Sequence, residues 1–281
     1  MTSLGIVAGG GALPCAVAQC ARDSGRDVFI LALRGSADTC VAQFPHDWVS
    51  LGEAGRALRL LREHDCGDVL FAGRVARPRF SEINVDAKAV LLLPRVVSAA
   101  RKGDDALLRA LVDILDAEGF RSVGIAEAAP GLLVPDGVLG QRKPDLDNER
   151  DIARGVKVVR RLGALDVGQA AIICDGLVLA VEAAEGTDAM ILRAAGLPES
   201  VRGAAGRRQG VLVKALKPRQ DGKTDLPVIG IQTVENAARA GLAGIAVEAA
   251  RTLIVSRDAV VDAADAAGLF LLGFAASAYP D

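Results

Sequence analysis

The residues with the clearest chemical potential lie at 210–233, GVLVKALKPRQDGKTDLPVIGIQT, where an apolar strand opens into a loop carrying Lys214, Lys217, Lys223, Asp221 and Asp225. Ammonium groups neutralise phosphate oxygens, and carboxylates hold a metal or orient water, which is the division of labour that phosphoryl chemistry requires. A solvated Pro/Gly connector between two strands has the same composition, so the loop must be judged by its setting. Between Arg202 and Lys223 there are seven Lys/Arg and one acid, the composition of a wall facing a polyanion or of a solvated surface. Upstream, Glu185-Gly186-Thr187-Asp188 offers two carboxylates and a hydroxyl, with Thr187 or Asp188 placed to cap a helix. Thr233 precedes a helical stretch, where its hydroxyl either caps or touches phosphate.

A second group sits near the amino terminus. Gly9-Gly10-Gly11 separates the apolar run SLGIVA from a segment with apolar positions at Leu13, Val17 and Cys20, and VFILAL at 28–33 follows. This reads as strand, turn, helix, strand, and so as a parallel sheet with right-handed crossover. Gly11 and Ala12 then lie at a helix start, where backbone amides suit a phosphate; a plain tight turn is the alternative. The dinucleotide fingerprint is incomplete, because the third glycine position is Pro14 and the second strand ends in Arg34-Gly35 without an acid. NAD loses its ribose contact, while Arg34 leaves an NADP-dependent oxidoreductase formally open. Arg74 follows the strand at 68–73, at the edge where ligands gather on open parallel sheets; Arg74, Arg77 and Arg79 are phosphate contacts or a solvated basic turn.

These groups need a scaffold. Helices are expected near 53–64 and at 104–118, the latter capped by Asp104 or Asp105 and stopped by Gly119, with a Leu/Val-rich stretch at 85–97 and a strand at 121–126. Periodicity fails between Pro130 and Asn148 while Pro and Gly accumulate. The expected organisation is α/β: an N-terminal Rossmann-like parallel-sheet domain (1–130), a linker (131–147) and a C-terminal mixed α/β domain (148–281). In the second domain a helix runs from Glu149, and strands at 169–174 and 177–183 flank Asp175-Gly176, a hairpin signal. Strands at 244–248 and 252–255, a helix begun by Ser256 and the run LFLLGF at 269–274 complete it.

Composition narrows the function. The 281 residues are 51% hydrophobic and 24% charged, with 33 basic against 35 acidic side chains and only 3% aromatics, which argues against a nucleic-acid partner. Five cysteines, odd in number and without a Cys-x-x-Cys pair, suit a reduced cytosolic compartment. Two histidines and no Cys/His cluster leave little for zinc, so a metal should be bound by oxygen. No uncharged apolar run reaches the roughly 18–20 residues that span a bilayer.

Taken together, GDDALLRA (103–110), LDVGQAAII (165–173), EGTDAMI (185–191), GVLVKALKPRQD (210–221), DLPVIGIQT (225–233) and AGLAGIAVEA (240–249) resemble the LpxI family, the UDP-2,3-diacylglucosamine pyrophosphatases of lipid A biosynthesis. The resemblance runs from the first strand nearly to the last; the glycine turn matches most loosely, at Gly10. It implies two domains enclosing a lipid, Mg²⁺, and hydrolysis of UDP-2,3-diacylglucosamine to UMP and 2,3-diacylglucosamine 1-phosphate. It also implies a cytoplasmic protein in transient contact with the inner leaflet of the inner membrane. A non-catalytic nucleotide-sugar or lipid-binding module is the other class to separate.

On that resemblance Asp225, in Asp-Leu-Pro, takes the leading catalytic role as Mg²⁺ ligand or water-orienting base. Lys214 is the second catalytic candidate, and Lys217 joins it on phosphate; Thr187, Thr224 and Thr233 are hydroxyl donors, and Gly11, Ala12 and Arg74 are further substrate contacts. Glu185, Asp188 and Asp221 are secondary metal ligands. The acyl chains need an apolar surface, for which 85–97 and the Ala/Leu-rich carboxyl half are candidates, with ordinary core burial as the alternative.

Overall fold

The computed structural model describes residues 2–75, 85–217 and 226–279, and the chain divides into two units, Met1–Gly131 and Leu132–Asp281. The first unit contains β1 (Ser3–Ala8), α1 (Leu13–Asp23), β2 (Val28–Leu33), β3 (His46–Val49), α2 (Ala54–Glu63), β4 (Cys66–Ala72), α3 (Ala87–Ala100), α4 (Asp104–Ala117), β5 (Arg121–Ser122) and α5 (Ile125–Ala128). Its sheet has the order β3-β2-β1-β4-β5 with every neighbour parallel. All six residues of β2 are buried, the continuous apolar run of a strand covered on both faces. The strand expected at 121–126 is shorter, because Gly124 starts the helical turn α5.

One charged residue is built into this sheet. Asp68 of β4 is 7% exposed and accepts from Nε and Nη2 of Arg121, each at 2.7 Å, and from Arg26. The Arg121 hydrogen bonds, then that of Arg26, hold the Asp68 carboxyl below the usual range against the opposing effect of burial. Arg121 belongs to β5, so this fork ties the short edge strand to β4.

Two expectations change here. The Leu/Val-rich stretch is the helix α3, yet among its residues only Ala89 is buried, and Val90 and Leu91 are 53% and 76% exposed. Its other Leu and Val residues, Leu92, Leu93, Val96 and Val97, are partly buried. Cys15 and Cys40 are joined in a disulfide with their Cα atoms 6.4 Å apart, in place of the reduced cysteines that number and spacing suggested. Cys15 stands in the first turn of α1 and Cys40 in a 3-10 turn after β2, a neighbourhood that sequence spacing does not reveal. The buried thiols of Cys66 and Cys174 are pushed up to about 11 by desolvation, which keeps them unreactive.

The second unit contains β6 (Gly137–Val138), α6 (Leu146–Ala164), β7 (Ala170–Cys174), β8 (Leu177–Val181), α7 (Thr187–Ala195), α8 (Glu199–Arg202), β9 (Gly203–Ala204), β10 (Arg207–Arg208) and β11 (Val211–Lys214). Then follow β12 (Val228–Ile229), α9 (Ile231–Arg239), β13 (Gly244–Glu248), β14 (Leu253–Ile254), α10 (Arg257–Ala267) and β15 (Phe270–Phe274). Its main sheet has the order β6-β15-β13-β11-β7-β8, with β15, β13 and β11 parallel and the other pairings antiparallel. Alternate residues face opposite ways: Leu212, Ile172 and Ile245 pack with Met190, Val234 and Val260 of α7, α9 and α10, while Val211, Val213 and Ile173 pack with Ile152 and Val156 of α6. Of residues 131–147, expected as a linker, 132–147 belong to this unit and are structured: β6 pairs with β15, and Asp145 with Asn148 forms a capping box on α6.

The β7–β8 hairpin forms as its Asp-Gly pair requires, with φ of +49° at Asp175 and +75° at Gly176. Asp151 of α6, 3% exposed, accepts from both turn amides, at 3.0 and 2.8 Å, and burial pushes its carboxyl up. Several expected caps shift by a residue or more. The N-caps of α4, α7 and α9 are Gly103, Gly186 and Gly230, so Asp104, Thr187 and Thr233 lie inside their helices, and Ser256 opens α10 without a side-chain cap.

Asp68 makes the first unit's stability depend on acid. Its folded pKa is lowered, so its contribution is complete above the unfolded value near 4 and is lost as pH falls through the folded one. Asp68→Asn is expected to cost about 1–3 kcal/mol at pH 7 and progressively less below pH 4, as read by denaturant titration of the first unit's transition at both pH values.

Candidate active site

In the second unit β8, β11 and β13 run in the same direction; Lys214 and Glu248 are the last residues of β11 and β13, and Glu182 follows the last residue of β8. These are only 6%, 5% and 5% exposed. Lys214 pairs with Ala170 of β7, and the Glu182 N–H donates to the Ala170 carbonyl at 2.9 Å, so Glu182 and Lys214 share a rung of the sheet two strands apart. Side chains on one rung point to the same face. Thr187, the first residue of α7, bridges them: Lys214 Nζ donates to Thr187 Oγ1 at 2.8 Å, and Thr187 Oγ1 donates to Glu182 Oε1 at 2.8 Å. Lys214 Nζ also donates to the Val228 carbonyl at 3.2 Å, and Glu182 Oε2 accepts from the Gln169 N–H at 3.1 Å. Desolvating an ammonium costs several kcal/mol. Here an anion two hydrogen bonds away and a backbone carbonyl offset it. Glu248 Oε2 accepts from the Leu216 N–H at 3.0 Å and so fixes the chain where it leaves β11.

The other expected site residues fall in several places. Thr233 is in the first turn of α9 and 7% exposed. Asp188 accepts from the buried Asn236 Nδ2 at 3.2 Å, which joins α7 to α9. Glu185 pairs with Arg193 at 2.8 Å, and that hydrogen bond holds its carboxyl below the usual range. Lys217 donates to Asp166 at 2.8 Å. Asp221, Thr224 and Asp225 lie outside the described residues, as do Arg77 and Arg79. Among the described residues no three His, Cys, Asp or Glu side chains converge as a metal centre needs, and Glu185 and Asp188 face a guanidinium and an amide instead. The basic excess from Arg202 onward is largely structural at its start: Arg202 donates to the Ala240 carbonyl and Arg208 to those of Ala238 and Leu242, which satisfies the end of α9.

In the first unit the glycine turn is absorbed by the protein itself. The amides of Gly9, Gly10 and Gly11 donate to Ala72 O, Arg74 O and Asp38 Oδ2, each at 2.8 Å. A Cβ at Gly9 would stand 2.5 Å from Arg74 O, so the close approach of two backbones demands glycine there. Arg74 returns its own amide to Gly10 O at 2.9 Å, and its side chain is exposed. An anion at Gly11 would have to displace the Asp38 carboxylate.

The model of the LpxI N-terminal domain matches residues 3–132, and that of the LpxI C-terminal domain matches residues 135–272. The UDP-2,3-diacylglucosamine pyrophosphatase LpxI of Caulobacter vibrioides is 49% identical over 273 residues, which cover 97% of this chain and 98% of the relative. The chain belongs to the LpxI family. For an LpxI chain the oxidoreductase alternative loses its footing, and Arg34, the proposed 2′-phosphate contact, donates to the Trp48 carbonyl at 3.4 Å. Sequence reasoning passed over Glu182, Glu248 and Asp38 in this LpxI chain. For the first two a signal was present, since LVLAVE and GIAVE each close an apolar strand with an acid, as VLVK closes one with a lysine. Asp38 had none, because its partner is 27 residues away.

The backbone contact at the glycine turn sets a stability test. Gly9→Ala is expected to destabilise the first unit by about 1–3 kcal/mol, the usual range for overpacking against atoms that cannot move aside, and a lower thermal midpoint for that unit would register it.

Proposed function

We propose that this chain hydrolyses the pyrophosphate of UDP-2,3-diacylglucosamine, releasing UMP and 2,3-diacylglucosamine 1-phosphate. The observation that carries the reading is the 49% identity to a pyrophosphatase of that name, spanning nearly the whole of both chains. Water adds at one phosphorus, the bridging P–O bond breaks, and the departing phosphate takes the electron pair; positive charge near the bridging and non-bridging oxygens lowers the barrier. Lys214 supplies such a charge at the carboxyl edge of the second sheet, held in place before substrate arrives. Asp225 orients the water or binds Mg²⁺, with Asp221 as a further candidate ligand, and Thr224, Thr233, Lys217 and Arg74 are proposed substrate contacts. The outward Val90 and Leu91 of α3 offer apolar surface that an acyl chain would cover. No helix among the described residues is long and apolar enough to cross a membrane. On the family resemblance we place the protein in the cytoplasm, meeting its lipid at the inner leaflet by transient contact.

Incubation with UDP-2,3-diacylglucosamine and Mg²⁺ tests the reaction: UMP should accumulate, should stop with EDTA and should return with excess Mg²⁺. A binding module would leave the substrate intact. Asp225→Asn should fold normally and lose about 100-fold or more in turnover, the scale of losing one reacting-centre group; near-normal turnover would remove Asp225 from the mechanism. Leu91→Asp should raise KM for the diacylated substrate and leave kcat nearly unchanged.

A further inference from the structure

The hydrogen-bond directions around Thr187 assign a role to Glu182. An ammonium only donates, so Thr187 Oγ1 must accept from Lys214, and the single hydroxyl proton has to go elsewhere. It goes to Glu182 Oε1 at 2.8 Å. Glu182 is itself held from two sides: its backbone N–H is bonded to Ala170 at the rung of Lys214, and its second oxygen accepts from the Gln169 N–H. Thr187, expected to donate to phosphate, is thereby turned into an acceptor for Lys214.

Resting on the pyrophosphatase reading of this site, we propose that Glu182 is a positioning residue for the hydrolysis. Through the Thr187 hydroxyl it holds the Lys214 ammonium where phosphate charge must be met. Glu182 does not itself touch the substrate in this account. A carboxylate is needed because both of its oxygens accept, one from Thr187 and one from Gln169. Glutamine of the same shape would set an NH₂ against one of those donors.

The test measures UMP release by the full chain and by Glu182→Gln, Thr187→Val, Thr187→Ser and the Glu182→Gln/Thr187→Val double variant, with thermal midpoints in parallel. Glu182→Gln should lower kcat about tenfold with KM within about twofold, Thr187→Val should do likewise, and Thr187→Ser should restore most of the rate. The double variant should be no slower than Thr187→Val alone, since residues acting through one another are not additive. A full kcat in Glu182→Gln or in Thr187→Val overturns the relay, and so do losses that multiply in the double variant. If Glu182→Gln fails to fold, the Thr187 pair decides in the same way: a Thr187→Ser as slow as Thr187→Val removes the hydroxyl from the argument. No UMP from the unaltered chain would overturn the functional reading itself, and this one with it; a fully active chain with an indifferent Glu182 overturns only the relay.

Discussion

A buried ammonium governs the second unit. Lys214 closes β11 with 5% of its surface in water, at a rung whose neighbours are Ala170 of β7 and Val247 of β13. Such a group persists only where hydrogen bonds and opposite charge replace its hydration. The chain meets that demand with the start of α7 and the end of β8, and the sheet order puts both within reach: β7 alone lies between β11 and β8. The tight Asp175-Gly176 turn, held by Asp151, starts the return, and a one-residue register shift between Ile172 and Ile173 then brings Glu182 opposite Ala170. The hairpin, the α6 contact beneath it and the α7 start above it thus all serve the position of one nitrogen.

The first unit is organised by a different constraint, the meeting of two backbones. The end of β1 and the chain after β4 exchange hydrogen bonds between Gly10 and Arg74, leaving no space for a side chain at Gly9. Glycine here has a packing reason that would hold without any ligand. The same turn, with Asp38 against the Gly11 amide, remains a natural place for an anion only if that carboxylate moves.

Polar residues in both units act mainly by closing the ends of elements. Arg202 and Arg208 satisfy carbonyls at the end of α9, Asp145 caps α6, and Asp68 fastens β5. A run of basic residues therefore divides: its first members belong to the scaffold, while Lys214 is drawn inward by its strand. The exception is α3, where Val90 and Leu91 face outward and core packing does not account for them.

The strand and helix succession was legible in the sequence wherever periodicity and turn chemistry agreed. β1, β2, β4, α4 and the β7–β8 hairpin stand where alternation, apolar runs and the Asp-Gly pair put them, and the motifs carried the family. These are local signals, read over a few residues. Helix starts moved because a glycine with an extended or positive-φ backbone can precede a helix as readily as a hydroxyl residue can. The site itself was half legible. Lys214 and Thr187 could be named as chemically able, and Lys214 is the charged end of a strand whose pattern any reader can see. That Thr187 accepts from Lys214, that Glu182 holds Thr187, that Glu185 belongs to Arg193 and that Cys15 meets Cys40 were decided by tertiary structure alone. The longest of these contacts join residues 25 and 27 positions apart, and no local propensity encodes such a distance.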